Sequence, residues 1–222
     1  HNENEVTRLS NDVFTMDKIL LGDVFIRGGS SSGTHVLEEG RPIGQFYGLV
    51  CNGIDENGRY IMVDKDGDGE ISDPADYDYI GSAQPKLTYG ITNTFRYKNF
   101  DLSFFLRGTI GNDILNATRM AYAQSGFLPG TNALDDPLTY TLSETPRFSN
   151  YYLEKGSFMR LDNLTLGYKI KALNGIRVYF TAQNLFVITK YKGLDPEVPM
   201  DSGDGLTPGV EPREFYPKAR TF

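Results

Sequence analysis

The chain has 222 residues, 39% of them hydrophobic and 13% aromatic, with 14 Tyr, 14 Phe and no Trp, and it carries a net charge of −7. That acidity excludes a nucleic-acid binder, which needs a basic face to displace counterions from phosphates. One cysteine, Cys51, excludes an intrachain disulfide and a thiolate-rich zinc site, and it reads as a small apolar filler at a strand edge.

The sequence opens at His1 without Met, signal peptide or an apolar run of about 18 residues. It therefore reads as a processed chain or a fragment without a transmembrane helix. Residues 1–40 are mixed in pattern, with a Gly/Ser stretch over 28–33, and predict one or two strands. Further strands are predicted around 45–52 and 59–63, with a turn at 55–58 between them.

An acidic segment follows, over 64–78. Asp64, Asp66 and Asp68 occupy alternate positions in the run Asp-Lys-Asp-Gly-Asp-Gly-Glu-Ile-Ser. Three carboxylates so close repel one another unless a cation neutralises them, and a hard cation such as calcium takes six to eight oxygens. Gly67 and Gly69 free the backbone to wrap the ion, the Glu70 carbonyl would serve at the seventh position, and Asp73 or Asp76 would add an oxygen. The expected metal ligands are Asp64, Asp66, Asp68, Glu70, Asp73 and Asp76, around a structural calcium. Ala75 stands at the twelfth position and no helical pattern flanks the loop, so an EF-hand helix pair is not expected.

The clearest periodicity comes next. Over 87–97, Leu87, Tyr89, Ile91, Phe95 and Tyr97 share one face, interrupted by Asn93, and Thr88, Gly90, Thr92, Thr94 and Arg96 share the other. A very short turn at Lys98 and Asn99 leads to 100–107, where Leu102, Phe104 and Leu106 alternate with polar residues, as in a hairpin. A second pair repeats the plan. Leu164, Leu166, Tyr168 and Ile170 precede a turn at 172–175, and Ile176, Val178, Phe180 and Ala182 follow it. The phase slips near Asp162 and Asn163, as at a bulge. Between and after these hairpins run long Gly/Pro/Asn/Ser-rich connections over 108–156, with one or two helical turns expected around 113–124, and over 189–222. Compact soluble domains rarely carry structureless loops beyond about 12 to 15 residues. Strands of about ten residues, greasy on one face and joined alternately by tight turns and long loops, predict an all-β fold: antiparallel strands of a transmembrane β-barrel with long extracellular loops.

No catalytic arrangement emerges. His1 and His35 stand in no metal or triad spacing, and no carboxylate pair is placed in a cleft. Tyr122, Tyr151 and Tyr152 could stack on sugars, but such loop aromatics are expected to pack the loops instead.

The segments 40–48 (Gly-Arg-Pro-Ile-Gly-Gln-Phe-Tyr-Gly), 64–71, 79–85 (Tyr-Ile-Gly-Ser-Ala-Gln-Pro), 99–108, 156–168 and 183–197 resemble, in order, the C-terminal part of SusC/RagA-type TonB-dependent transporters. The resemblance implies that residues 1–222 supply the last strands and outer loops of a barrel of about 22 strands with an N-terminal plug. It also implies an outer-membrane location, a SusD-like lipoprotein lid, energy from TonB through a missing N-terminal part, contact with outer-membrane lipid, and import of oligosaccharides or peptides. Two departures stand out: the family's twelfth-position Asp is displaced here to Asp76, and the family continues past 216–222 into a last strand. The competing reading is a soluble, calcium-stabilised β-domain that binds glycans at the cell surface. It would bury the apolar strand faces that a barrel turns to lipid.

Overall fold

The structure, a computed structural model, describes residues 1, 3–11, 13, 15–26, 29–126, 128–173, 175–197, 205–213 and 216–222, the side chains of 29–32 and 173 excepted. The weakly patterned N-terminal region holds an antiparallel pair, β1 (Lys18–Ile26) and β2 (Gly29–Glu38). A register shift between Leu21 and Asp23 places Gly22 at φ 75°, where a Cβ would lie 2.6 Å from the Thr34 hydroxyl. The strand expected over 45–52 is in fact two. β3 (Gln45–Leu49) and β4 (Cys51–Ile54) separate at Val50, and β4 pairs with β5 (Tyr60–Met62). The turn between β4 and β5 is an Asx turn, because the Asp55 carboxylate accepts the amides of Asn57 and Arg59, each at 2.8 Å. β3 instead continues the first sheet, between β2 and β6 (Tyr77–Ser82).

β7 (Leu87–Tyr97) and β8 (Phe100–Ile110) form the expected hairpin, in register from Leu87↔Ile110 to Tyr97↔Phe100. Its two-residue turn puts Lys98 at φ 55°, the left-handed geometry that matches the strands' twist. The one or two helical turns expected around 113–124 are present, but they occupy only the later part of that range. Asp113–Leu115 forms β9, and α1 (Ala117–Tyr122) starts only after Asn116, whose side chain accepts the Arg119 amide at 2.8 Å. The long connection also contains α2 (Pro137–Thr141), capped by Asp136, and β10 (Leu153–Lys155), which pairs with β9. Neither was predicted.

β11 (Phe158–Ile170) and β12 (Ile176–Thr189) form the second hairpin, which starts six residues earlier than the alternation at Leu164 indicates. The expected bulge is present as a register shift between Leu161 and Asn163 against both neighbouring strands. β11 also pairs with β8, giving one antiparallel sheet in the order β12-β11-β8-β7. The registers set both short turns at one end and all the long connections at the other. The buried core lies with those connections. Val24, Phe46, Ala83, Leu115, Met120, Leu138, Phe148 and Tyr152 pack together there, a cluster that includes none of the residues of the hairpin sheet's apolar face.

Candidate functional site

The hairpin sheet presents two chemically opposite faces. Pairing aligns Ile91, Phe95 and Tyr97 with Leu106, Leu102 and Phe100, then with Leu161, Leu166 and Tyr168, and then with Phe186, Phe180 and Val178. Each strand places its period-two apolar set on this one surface, and among the described residues no element covers most of it. Ile91, Phe95, Val178 and Phe180 each stay about half exposed, at 51%, 52%, 50% and 48%. At ~3.3 Å per residue and a tilt near ~40°, an 11-residue strand spans roughly 28 Å, close to the apolar band of a membrane barrel. Near the short turns, Tyr97, Phe100 and Tyr168 form an exposed aromatic rim, with the Phe100 and Tyr168 rings 4.6 Å apart. A soluble sandwich would bury these positions.

The opposite face is polar and carries a charge network. Arg160 of β11 is 1% exposed, and its guanidinium reaches Asp195 at 2.5 Å, Glu197 at 3.4 Å and the Asn184 side chain. Arg107 of β8 bonds Asp162 at 2.9 Å and also Glu197, which Lys218 meets at 2.7 Å. Burial pushes the Glu197 carboxyl up, but its bonds to Arg107 and Lys218 outweigh that and hold it below the usual range. The bulge supplies the geometry: Asn184 sits at φ 50°, which Asn tolerates, and donates to the Lys218 and Ala219 carbonyls at 2.7 and 3.2 Å. Together these bonds pin residues 195–197 and 218–219 against the sheet. Beside them lies a cavity of about 500 Å³, lined by Phe105, Phe158, Thr88, Thr109, Arg107 and Glu197 among others.

The structure divides the residues of the acidic loop. Asp64, Asp66 and Asp68 come together, each offering an oxygen within 4.8 Å of the others. Asp64 accepts the amides of Gly67 and Gly69 at 2.6 and 2.8 Å, and both glycines take positive φ. Asp76 is buried, and its carboxylate takes the amides of Ser72 and Lys65, which hold it below the usual range. Asp73 pairs with Arg147 at 2.8 Å, while Glu70 is exposed and donates its amide to Asp68. Three carboxylates are thus gathered, Asp73 faces Arg147, and Asp76 ties the loop's two ends together.

Other residues singled out from sequence take structural places. Tyr152 is fully buried, its hydroxyl 2.5 Å from that of Tyr60, so it offers no sugar platform. His35 is buried too; its Nε2 donates to the Pro208 carbonyl, leaving Nδ1 to accept from Thr34. Cys51 is buried, which raises its thiol, and the thiol points at the Gly53 carbonyl 3.1 Å away. Sequence reasoning missed Arg160 and Asn184. The only signal was an arginine on a strand whose neighbours alternate with leucines, close to the phase slip.

No family model matches the chain. It is 33% identical over 85% of its length to TonB-dependent receptor P3 of Formosa agariphila. It is 35% identical over its full length to TonB-dependent receptor SusC of Bacteroides thetaiotaomicron. These matches cover 22% and 23% of the two relatives, so the chain spans less than a quarter of their length. Among solved structures, that of the RagAB peptide transporter matches over 97% of this chain and 25% of its own, with a TM-score of 0.71 at 26% identity. An open-open state of the RagAB peptide importer matches with a TM-score of 0.67 at 25% identity.

Proposed function

The chain belongs to the SusC/RagA-type TonB-dependent receptors, which are outer-membrane proteins, and from that premise we propose that it forms C-terminal strands and outer loops of an importer of large nutrients. The observation that carries this reading is the apolar face, interrupted at Asn93, on four strands long enough to cross a bilayer, with short turns at one end and long loops at the other. In this arrangement the face made by Leu102, Phe104, Val178 and Phe180 meets lipid. The Arg107–Arg160–Glu197 face lines the inside of the barrel, where the pinned segment and its cavity border the path of the cargo. That cargo is an oligosaccharide or a peptide, delivered by a SusD-like lipoprotein, and TonB engages a segment N-terminal to these residues. RagAB, a peptide transporter by name, supports the peptide class, and the oligosaccharide class rests on the family resemblance alone.

The acidic loop is, in this proposal, a structural calcium site. Its support is the convergence of Asp64, Asp66 and Asp68 with two positive-φ glycines between them. The ion stiffens an outer loop close to where a lid protein docks. The test uses the receptor that carries this chain, produced in the outer membrane. We expect it to require detergent for extraction, to migrate faster unheated than boiled on a denaturing gel, and to support uptake of either a labelled oligosaccharide or a labelled peptide. Release into buffer without detergent would overturn the reading.

A further inference from the structure

The cavity on the polar face of the hairpin sheet has a floor of two strand rows and a fixed roof. Pairing sets Thr88, Thr109 and Phe158 in one row and Gly90, Arg107 and Arg160 in the next, all on the face opposite the apolar one. Phe105, two residues before Arg107, leans onto Gly90, where a Cβ would lie 3.1 and 3.3 Å from its ring atoms, so the glycine gives its place to the ring. Pro196 roofs the space and is held on both sides, Asp195 by Arg160 at 2.5 Å and Glu197 by Arg107 at 3.0 Å. With Pro85, two proline and two phenylalanine rings border about 500 Å³.

The charges beside this space satisfy one another. The Arg107 guanidinium bonds Asp162 through Nε and Nη2 at 3.0 and 2.9 Å and holds both oxygens of Glu197, which Lys218 also meets at 2.7 Å. An acidic or basic ligand group therefore finds its countercharge already taken. A sugar ring carries several hydroxyls, and each costs energy when buried without a partner. Of the lining hydroxyls, those of Thr109 and Tyr89 already donate, to Asn112 at 3.2 Å and to the Phe158 carbonyl at 3.4 Å, which leaves a buried sugar short of partners. A large apolar side chain needs none and gains the rings. We propose that this cavity is a side-chain pocket for a peptide cargo, taking one leucine- or phenylalanine-sized residue against Phe105, Phe158 and Pro196 while the peptide backbone stays in the aqueous interior. Because Arg107 and Arg160 hold Pro196 in place beforehand, little ordering opposes occupation. This rests on the importer reading above and narrows its cargo to peptide.

The receptor carrying this chain is purified in detergent and incubated with a mixture of N-acetylated alanine/serine octapeptide amides in which one central residue is Leu, Phe, Ala, Ser, Asp or Lys, and retained peptide is counted by mass spectrometry. The wild type should retain the Leu and Phe members over the Ala member by roughly ten- to a hundredfold, the range for burying such a side chain. Thr88→Trp, which fills the cavity from an exposed position, should reduce that preference to within about twofold, and Phe105→Ala, which removes one wall, should lower it as well. Thr94→Trp adds the same bulk to the same face outside the cavity and should keep the preference. Equal retention of all members by the wild type would overturn the pocket, as would an undiminished preference in Thr88→Trp and Phe105→Ala, an equal loss in Thr94→Trp, or retention of maltoheptaose in place of every peptide. Failure of the importer reading looks different: the receptor would then leave the membrane without detergent.

Discussion

Replacing Arg160 with Met should release the segment that lies on the polar face without dissolving the strands beneath it. The arginine is 1% exposed and Asp195 is 5% exposed, with 2.5 Å between their polar atoms. Methionine keeps much of the apolar stem but leaves the Asp195 carboxylate buried without its cation, and it removes the contact to Asn184 that holds 218–219. Breaking one side of a buried pair costs about 3–5 kcal/mol, because the remaining charge stays desolvated. Glu197 keeps Arg107 and Lys218, so the loss concentrates at Asp195. Released as local opening, that energy corresponds to amide exchange faster by roughly 150-fold to 4,000-fold in the pinned segments. Hydrogen exchange of the intact receptor, followed by mass spectrometry, should show this for peptides covering 192–197 and 217–221, with β7 and β8 unchanged. Arg160→Met combined with Asp195→Leu should recover much of the protection, since no charge is then left buried alone. Unchanged exchange at 192–197 in the single variant would refute the reasoning, as would equal loosening of all four strands.

Three further outcomes follow from the loops and the strand contacts. Asp66→Ala with Asp68→Ala should abolish the calorimetric signal of calcium binding to the receptor and speed exchange over 64–72, leaving the strands protected. Gly108→Ala should prevent formation of the heat-modifiable barrel, because the new Cβ would lie 2.0 Å from the Phe158 carbonyl oxygen and 2.6 Å from the Tyr89 hydroxyl. Burial raises the Asp136 carboxyl, but its bonds to Arg119 and the Leu138 amide outweigh that and leave it below the usual range. Its contribution is therefore fully present above the unfolded carboxylate value of about 3.9 and is lost as pH falls through the lower folded value. Proteolytic nicking over 128–145 should rise in acid for the wild type, and Asp136→Asn should show it already at neutral pH.

Much of the strand architecture is legible in the sequence because a membrane wall repeats one physical demand at every second residue. Leu87 to Ile110 shows this directly: one set of side chains faces an apolar surface, its alternates face a polar one, and a two-residue turn leaves no freedom of register. The bulge is legible for the same reason, as a break in phase at Asp162. The loop architecture is not, because its elements are fixed by partners far along the chain. β9 exists through its pairing with β10, some 40 residues later, and β4 leaves the first sheet at Val50, where Cys51 donates its amide to Asn150. The charge network shares that limit. Arg160 acquires its place only when residues 195–197 fold back over the sheet, and no local pattern announces that return. In the acidic loop the gathering of Asp64, Asp66 and Asp68 follows from spacing and glycines, whereas the engagement of Asp73 by Arg147 depends on a residue 74 positions away.

The central claim is that one face of the hairpin sheet meets lipid and the other meets water. Single nitroxide labels placed along β8 and β12 of the membrane-reconstituted receptor, with Cys51 replaced by Ala, test it through collision with oxygen and with a soluble nickel complex. Labels at Leu102, Phe104, Val178 and Phe180 should favour oxygen, and labels at Ser103, Phe105, Tyr179 and Thr181 should favour nickel, with a period of two along each strand. Equal nickel accessibility at both sets would contradict the account.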